Sequence, residues 1–67
     1  MTYIMSIGMK EPTKTKTYRG KRYSLHTIST SGKAASALGK GFDYDKIPNL
    51  QVHCWHNGDW AYAIYVR

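Results

Sequence analysis

Apolar and polar residues alternate with a period of two along several stretches of the chain. The clearest are Leu50 to His56 and Asp59 to Val66, on either side of Asn57-Gly58. Asn-Gly is the preferred pair for a two-residue type I′ turn, because both central positions need positive φ. The pattern therefore predicts a β-hairpin. Its register would oppose His56 to Asp59, Trp55 to Trp60, Cys54 to Ala61, His53 to Tyr62, Val52 to Ala63 and Leu50 to Tyr65. One face then carries Leu50, Val52, Cys54, Ala61, Ala63 and Tyr65. The other carries Gln51, His53, Trp55, Trp60, Tyr62 and Ile64.

Upstream, Arg22 to Ser29 alternates more loosely and reads as a strand rich in Tyr, Thr and Ile. Thr30-Ser31 offers an N-cap hydroxyl to Lys33-Ala34-Ala35-Ser36-Ala37-Leu38, the best helix-forming run in the chain. Ala34, Ala35 and Leu38 share its apolar side. Gly39 and Gly41 are read as its stop, and Phe42 to Pro48 as a loop. Ala61 and Ala63 leave room on the first hairpin face, so the helix is placed there and the aromatic face is left partly open. At the amino end, Tyr3, Met5, Ile7 and Met9 alternate with Thr2, Ile4, Ser6 and Gly8. That stretch reads either as a further strand or as an unstructured leader.

The expected class is α+β, a small antiparallel sheet of three or four strands with one short helix on one face, in the order (β)-β-α-β-β. Residues 1–17 are expected as an N-terminal strand or flexible basic arm, and residues 18–67 as the compact part. Val66 and Arg67 end the last strand, which reads as an edge able to pair with a second copy in a homodimer. At 67 residues the chain forms one domain with a thin core. A single cysteine, Cys54, excludes a disulfide framework.

Charge changes the picture. Ten Lys/Arg stand against four Asp/Glu, a formal net charge of +6. Between residues 10 and 22, Lys10, Lys14, Lys16, Arg19, Lys21 and Arg22 are opposed by Glu11 alone, a local balance of +5. The Thr/Lys alternation there, with Pro12, reads as a solvated arm whose cations would neutralise phosphates. Lys33 at the helix start adds a weak anion site. Ser31-Gly32-Lys33 lacks the other positions of a phosphate-binding loop, and Lys40-Gly41-Phe42 matches only the first positions of an RNA-recognition signature.

The aromatic face is the second candidate. Trp55, Trp60 and Tyr62 beside His53 could stack unpaired bases. The same rings also make a stabilising cross-strand pair. His53, Cys54 and His56 are close in sequence, but strand geometry sends His53 to the other side and no second ligand pair follows, so no metal is expected. No cofactor motif, catalytic set, spanning segment or charged leader is read, which points to a non-enzymatic protein of the cytoplasm.

Two function classes remain. In the first, Lys14, Lys16, Arg19, Lys21, Arg22, Lys33, His53, Trp55, Trp60 and Tyr62 contact nucleic acid, DNA or RNA. In the second, the protein is an inhibitor or adaptor that blocks a site on an intracellular macromolecular complex, as a phage-type anti-CRISPR or anti-restriction regulator would.

Overall fold

A computed structural model describes residues 2–67, with side chains from Ile4 onward. Five strands and one helix follow in the order β1 Thr2–Gly8, β2 Thr15–Tyr18, β3 Lys21–Ser29, α1 Gly32–Tyr44, β4 Asn49–His56 and β5 Asp59–Val66. All five strands lie in one sheet, ordered β1-β4-β5-β3-β2. β1 runs parallel to β4, and every other pairing is antiparallel. The fold is thus α+β with a single helix on a curved, mixed sheet, one strand or more larger than expected and not strictly antiparallel.

The β4–β5 hairpin has the register its turn dictates, from His56↔Asp59 through Leu50↔Tyr65. Asn57 and Gly58 take φ of 51° and 80°, as a type I′ turn requires. β5 is the middle strand, paired on both sides. The last strand is therefore not an edge, and the expected pairing surface at Val66 and Arg67 is already occupied by β3 and β4.

The inner face carries the main core: Leu50, Val52, Cys54, Ala61, Ala63, Tyr65 and Tyr23, all buried. Met5 and Ile7 from one edge strand and Tyr18 from the other pack against this same cluster, so the sheet curls until its two edges share one interior. Two register shifts assist the curl, between Ser6 and Gly8 in β1 and between Leu25 and Thr27 in β3. An extra residue in one strand bends it and increases its twist.

The segment between β1 and β2 must travel from one edge of the sheet to the other. It crosses the inner face as a strap. Trp55 N–H donates to the Lys10 carbonyl at 3.3 Å, and Leu25 N–H donates to the Lys14 carbonyl at 2.8 Å. Between these ends, the Tyr65 hydroxyl donates to the Thr13 carbonyl at 2.6 Å. Glu11 Oε1 and His56 Nδ1 stand 3.0 Å apart. His56 and Asp59 face each other across the strands as expected, while the Asp59 carboxylate accepts the Trp60 N–H.

The helix packs on the opposite, outer face. This reverses the expected placement. The inner face is filled by the curl and the strap, and its alanines make room for strands rather than for a helix. The Gln51 amide, buried beneath α1, donates to the Ala35 carbonyl at 2.5 Å. Asn49 Nδ2 donates to Asp43 Oδ1 at 2.9 Å. Ile64 is sealed on the same side of the sheet.

Only Ala35 and Gly39 of the helix are buried, one turn apart, whereas Leu38 is 37% exposed. The apolar side is therefore Ala35–Gly39 and not Ala34–Ala35–Leu38. Ser31 caps the helix, accepting the Ala34 N–H at 3.2 Å. Gly39 does not end it and is buried within it. Each mid-helix glycine costs about 1 kcal/mol in propensity, and at Gly41, in open space, no packing offsets that cost. The helix runs on through Phe42 to Tyr44, and stops in a Schellman motif. Ile47 N–H donates to the Phe42 carbonyl, Lys46 N–H donates to the Asp43 carbonyl, and Lys46 takes φ of 58°. Pro48 follows directly.

Candidate nucleic-acid interface

The helix covers only part of the outer face. Its first residue, Gly32, lies against Tyr62; a Cβ there would meet the Tyr62 ring at 3.4 Å. Beyond that point the hairpin continues uncovered. His53 stacks on Trp60 with centroids 4.9 Å apart and planes at 19°, and leans on Tyr62 at 5.0 Å and 33°. Trp55 meets Trp60 edge-on at 5.2 Å and 89°. Each contact follows from the period of two and the I′ register, which put these four side chains on neighbouring positions of one face. Trp60 is 42% exposed, and His53, Trp55 and Tyr62 are half-buried. The rings thus support one another and still present surface to solvent. Lys33, exposed, follows Gly32 at this same end of the sheet.

The other basic residues lie elsewhere. Lys14 belongs to the strap, its carbonyl held by Leu25. Lys16 is on β2, and Lys21 and Arg22 are on β3, with Arg19 in the turn between them. Thr15–Tyr18 pairs with Lys21–Ser24, so this stretch is a second hairpin and not a solvated arm. The Thr/Lys alternation is the period-two signal of an edge strand. Its turn, Arg19-Gly20, takes φ of 51° and 75°, a conformation for which arginine is an unusual choice. β3 meets β5 from Ser24↔Val66 to Ser29↔Tyr62. Lys21 and Arg22 therefore stand beyond the far end of β5 from Trp60, in a molecule 33 Å long. The basic segment and the aromatic face, two separate candidates in the sequence, lie toward opposite ends of the sheet. Arg67, which no motif singles out, joins the basic end, with its guanidinium 5.9 Å from the Tyr23 ring centre.

Cys54 is buried on the inner face, and its thiol lies 3.7 Å from the Ala61 carbonyl it donates to. Burial away from water, with a smaller contribution from the Glu11 carboxylate, holds its pKa above the ordinary 9.0, against a lowering contact with the backbone at Ala63. Such a thiol is chemically quiet. Among the described residues no group of three or more His, Cys, Asp or Glu could hold a metal ion, and no helix is long and apolar enough to cross a membrane. A shallow cleft of about 150 Å³ lies between α1 and β1, lined by Ile4, Gly39, Lys40 and Gln51 among others. That is below the roughly 300 Å³ at which small-molecule sites begin.

Fold and surface together define a small α+β protein, with one helix on a curled sheet and a half-open row of rings at one hairpin. Comparison with protein-family models, with curated proteins and with solved structures finds no match.

Proposed function

We propose that this protein is a non-enzymatic nucleic-acid-binding protein of the cytoplasm, and that His53, Trp55, Trp60 and Tyr62 receive unpaired bases. The observation that carries the reading is the stacked His53–Trp60 pair, with Trp60 42% exposed, on a chain of net charge +6. A base laid on such a ring gains about 1–3 kcal/mol, and stacking tolerates any sequence because every base has a π-face. Lys33 and the first turn of α1 supply charge beside the row. The remaining cations raise the local concentration of a polyanion through the field of the whole molecule.

Both tryptophans of the chain belong to the row, so their fluorescence reports directly on stacking. Titration with single-stranded oligonucleotides should quench it, with micromolar affinity that weakens steeply as salt rises. Trp60→Ala should lower that affinity at least tenfold, while the circular dichroism spectrum keeps its folded form. Absence of quenching and of mobility shift at low salt would remove this reading and leave the protein-blocking one.

A further inference from the structure

We infer that the β2–β3 hairpin is a second and separate contact, one that grips the backbone of double-stranded DNA. The class of partner rests on the reading above; the location does not. From Ser24 onward β3 is flanked by β5, but Lys21, Arg22 and Tyr23 are paired only with Tyr18, Thr17 and Lys16. The sheet therefore narrows to a two-stranded ribbon for three residue pairs, roughly 10 Å. Strands in a ribbon lie about 4.8 Å apart, and the B-form major groove, about 12 Å wide, admits such a ribbon. A-form RNA has a major groove too narrow for it.

The ribbon's chemistry suits a phosphate backbone. Residues 15–24 contain four cations, Lys16, Arg19, Lys21 and Arg22, and no Asp or Glu. Thr15, Thr17, Arg22 and Ser24 share one exposed side, which sets three hydroxyls beside the Arg22 guanidinium, while Lys16 and Lys21 flank the ribbon from the side of Tyr18 and Tyr23. On the other side Tyr18 and Tyr23 pack into the main core, so the charges ride on a braced element and not on a loose arm. Arg19 is the most telling residue. It takes the same φ, 51°, as Asn57 in the other turn. Asn, Asp or Gly would hold that conformation at less cost, so a long cation at the tip works against the turn. Its guanidinium stands 5.4 Å from the Tyr18 ring centre, at the end of the ribbon.

The decisive variant is Arg19→Asn, which improves the turn and removes the charge. Its urea midpoint should equal or exceed that of the parent. Its affinity for a 20-base-pair DNA duplex should fall about three- to tenfold at low salt. The slope of log K against log salt should flatten by about 0.9, the share of one phosphate contact. Lys40→Gln, the same loss of charge on α1, should leave the slope alone, and Trp60→Ala should spare duplex binding. A parent that binds single strands but not the duplex overturns the ribbon contact while the ring reading stands. So does an Arg19→Asn slope no different from that of Lys40→Gln. A parent that binds neither form at low salt overturns both.

Discussion

The two hairpins turn on the same backbone geometry with opposite chemistry. At one end Asn57-Gly58 joins strands that carry His53, Trp55, Trp60 and Tyr62; at the other Arg19-Gly20 joins strands that carry Lys16, Lys21 and Arg22. The first uses the residue its φ favours, and its flanks are buried enough to alternate visibly. The second uses a residue its φ disfavours, on an edge strand with little to bury. One conformation is therefore plain in the sequence at one site and hidden at the other. The difference teaches that turn preference predicts a hairpin only where nothing else competes for the turn position.

The comparison can be tested at its common root first. Tyr65 lies opposite both Leu50 and Leu25, and its hydroxyl holds the strap. Truncating a buried aromatic costs about 3–5 kcal/mol, most of what a domain this small possesses. Tyr65→Ala should be unfolded at room temperature by circular dichroism, taking both hairpins with it. Tyr65→Phe, which loses only the hydroxyl, should stay folded with a urea midpoint lower by the equivalent of about 1 kcal/mol. A folded, cooperative Tyr65→Ala protein would mean the hairpins do not share a core.

Next come the turns themselves. Gly20→Ala and Gly58→Ala both force a Cβ into positive φ, at about 1–2 kcal/mol each. Equal losses in denaturant titrations would show that the two turns are mechanically alike. A silent Gly20→Ala would show that the basic hairpin is not formed in solution.

A smaller gain tests the same rule at the helix end. Lys46 holds the left-handed position of the Schellman motif, where glycine is the usual residue. Lys46→Gly should raise stability by up to about 1 kcal/mol, seen as a higher midpoint. A loss there would show that Lys46 is held by something other than the cap.

The smallest effect at neutral pH concerns Cys54, at the root of the aromatic hairpin. Its folded pKa is raised, so the unfolded chain releases the thiol proton first as pH rises. The contribution of this group to stability is fully present below the ordinary value of 9.0 and declines above it. A urea midpoint that falls above pH 9 in the parent and falls less in Cys54→Ala is the expected result. In the folded protein at pH 7 a thiol reagent should react only as fast as the core opens.

The comparison also shows how far reading the chain can reach. The hairpin register, both of its faces and the Ser31 cap follow from residues within a few positions of one another, and the structure has them all. β2 is hidden in the sequence because Thr15-Lys16-Thr17 shows no apolar side and Tyr18 alone packs against the core. The helix is longer than its sequence suggests because Gly39 and Gly41 look like stops, whereas Gly39 is buried within the helix and the Schellman turn that ends it lies further on, at Lys46. Among the candidate contacts, the rings fall together because one hairpin carries them all. The cations part from them because β3 spans the sheet, carrying Lys21 and Arg22 to one end and Ser29 to the other.

What this sequence determined by itself is local. Periodicity and turn chemistry settle which side chains share a face of β4 and β5, since alternation leaves no freedom once Asn57-Gly58 sets the register. Which face the helix covers was decided only by the tertiary structure. Both faces offer apolar surface, so local pattern does not choose between them. The choice falls to the bulges in β1 and β3, which curl the sheet, and to a strap of a few residues that closes the inner side. With that side filled by strands, the outer face alone was left for α1, and its uncovered end is where the rings meet solvent.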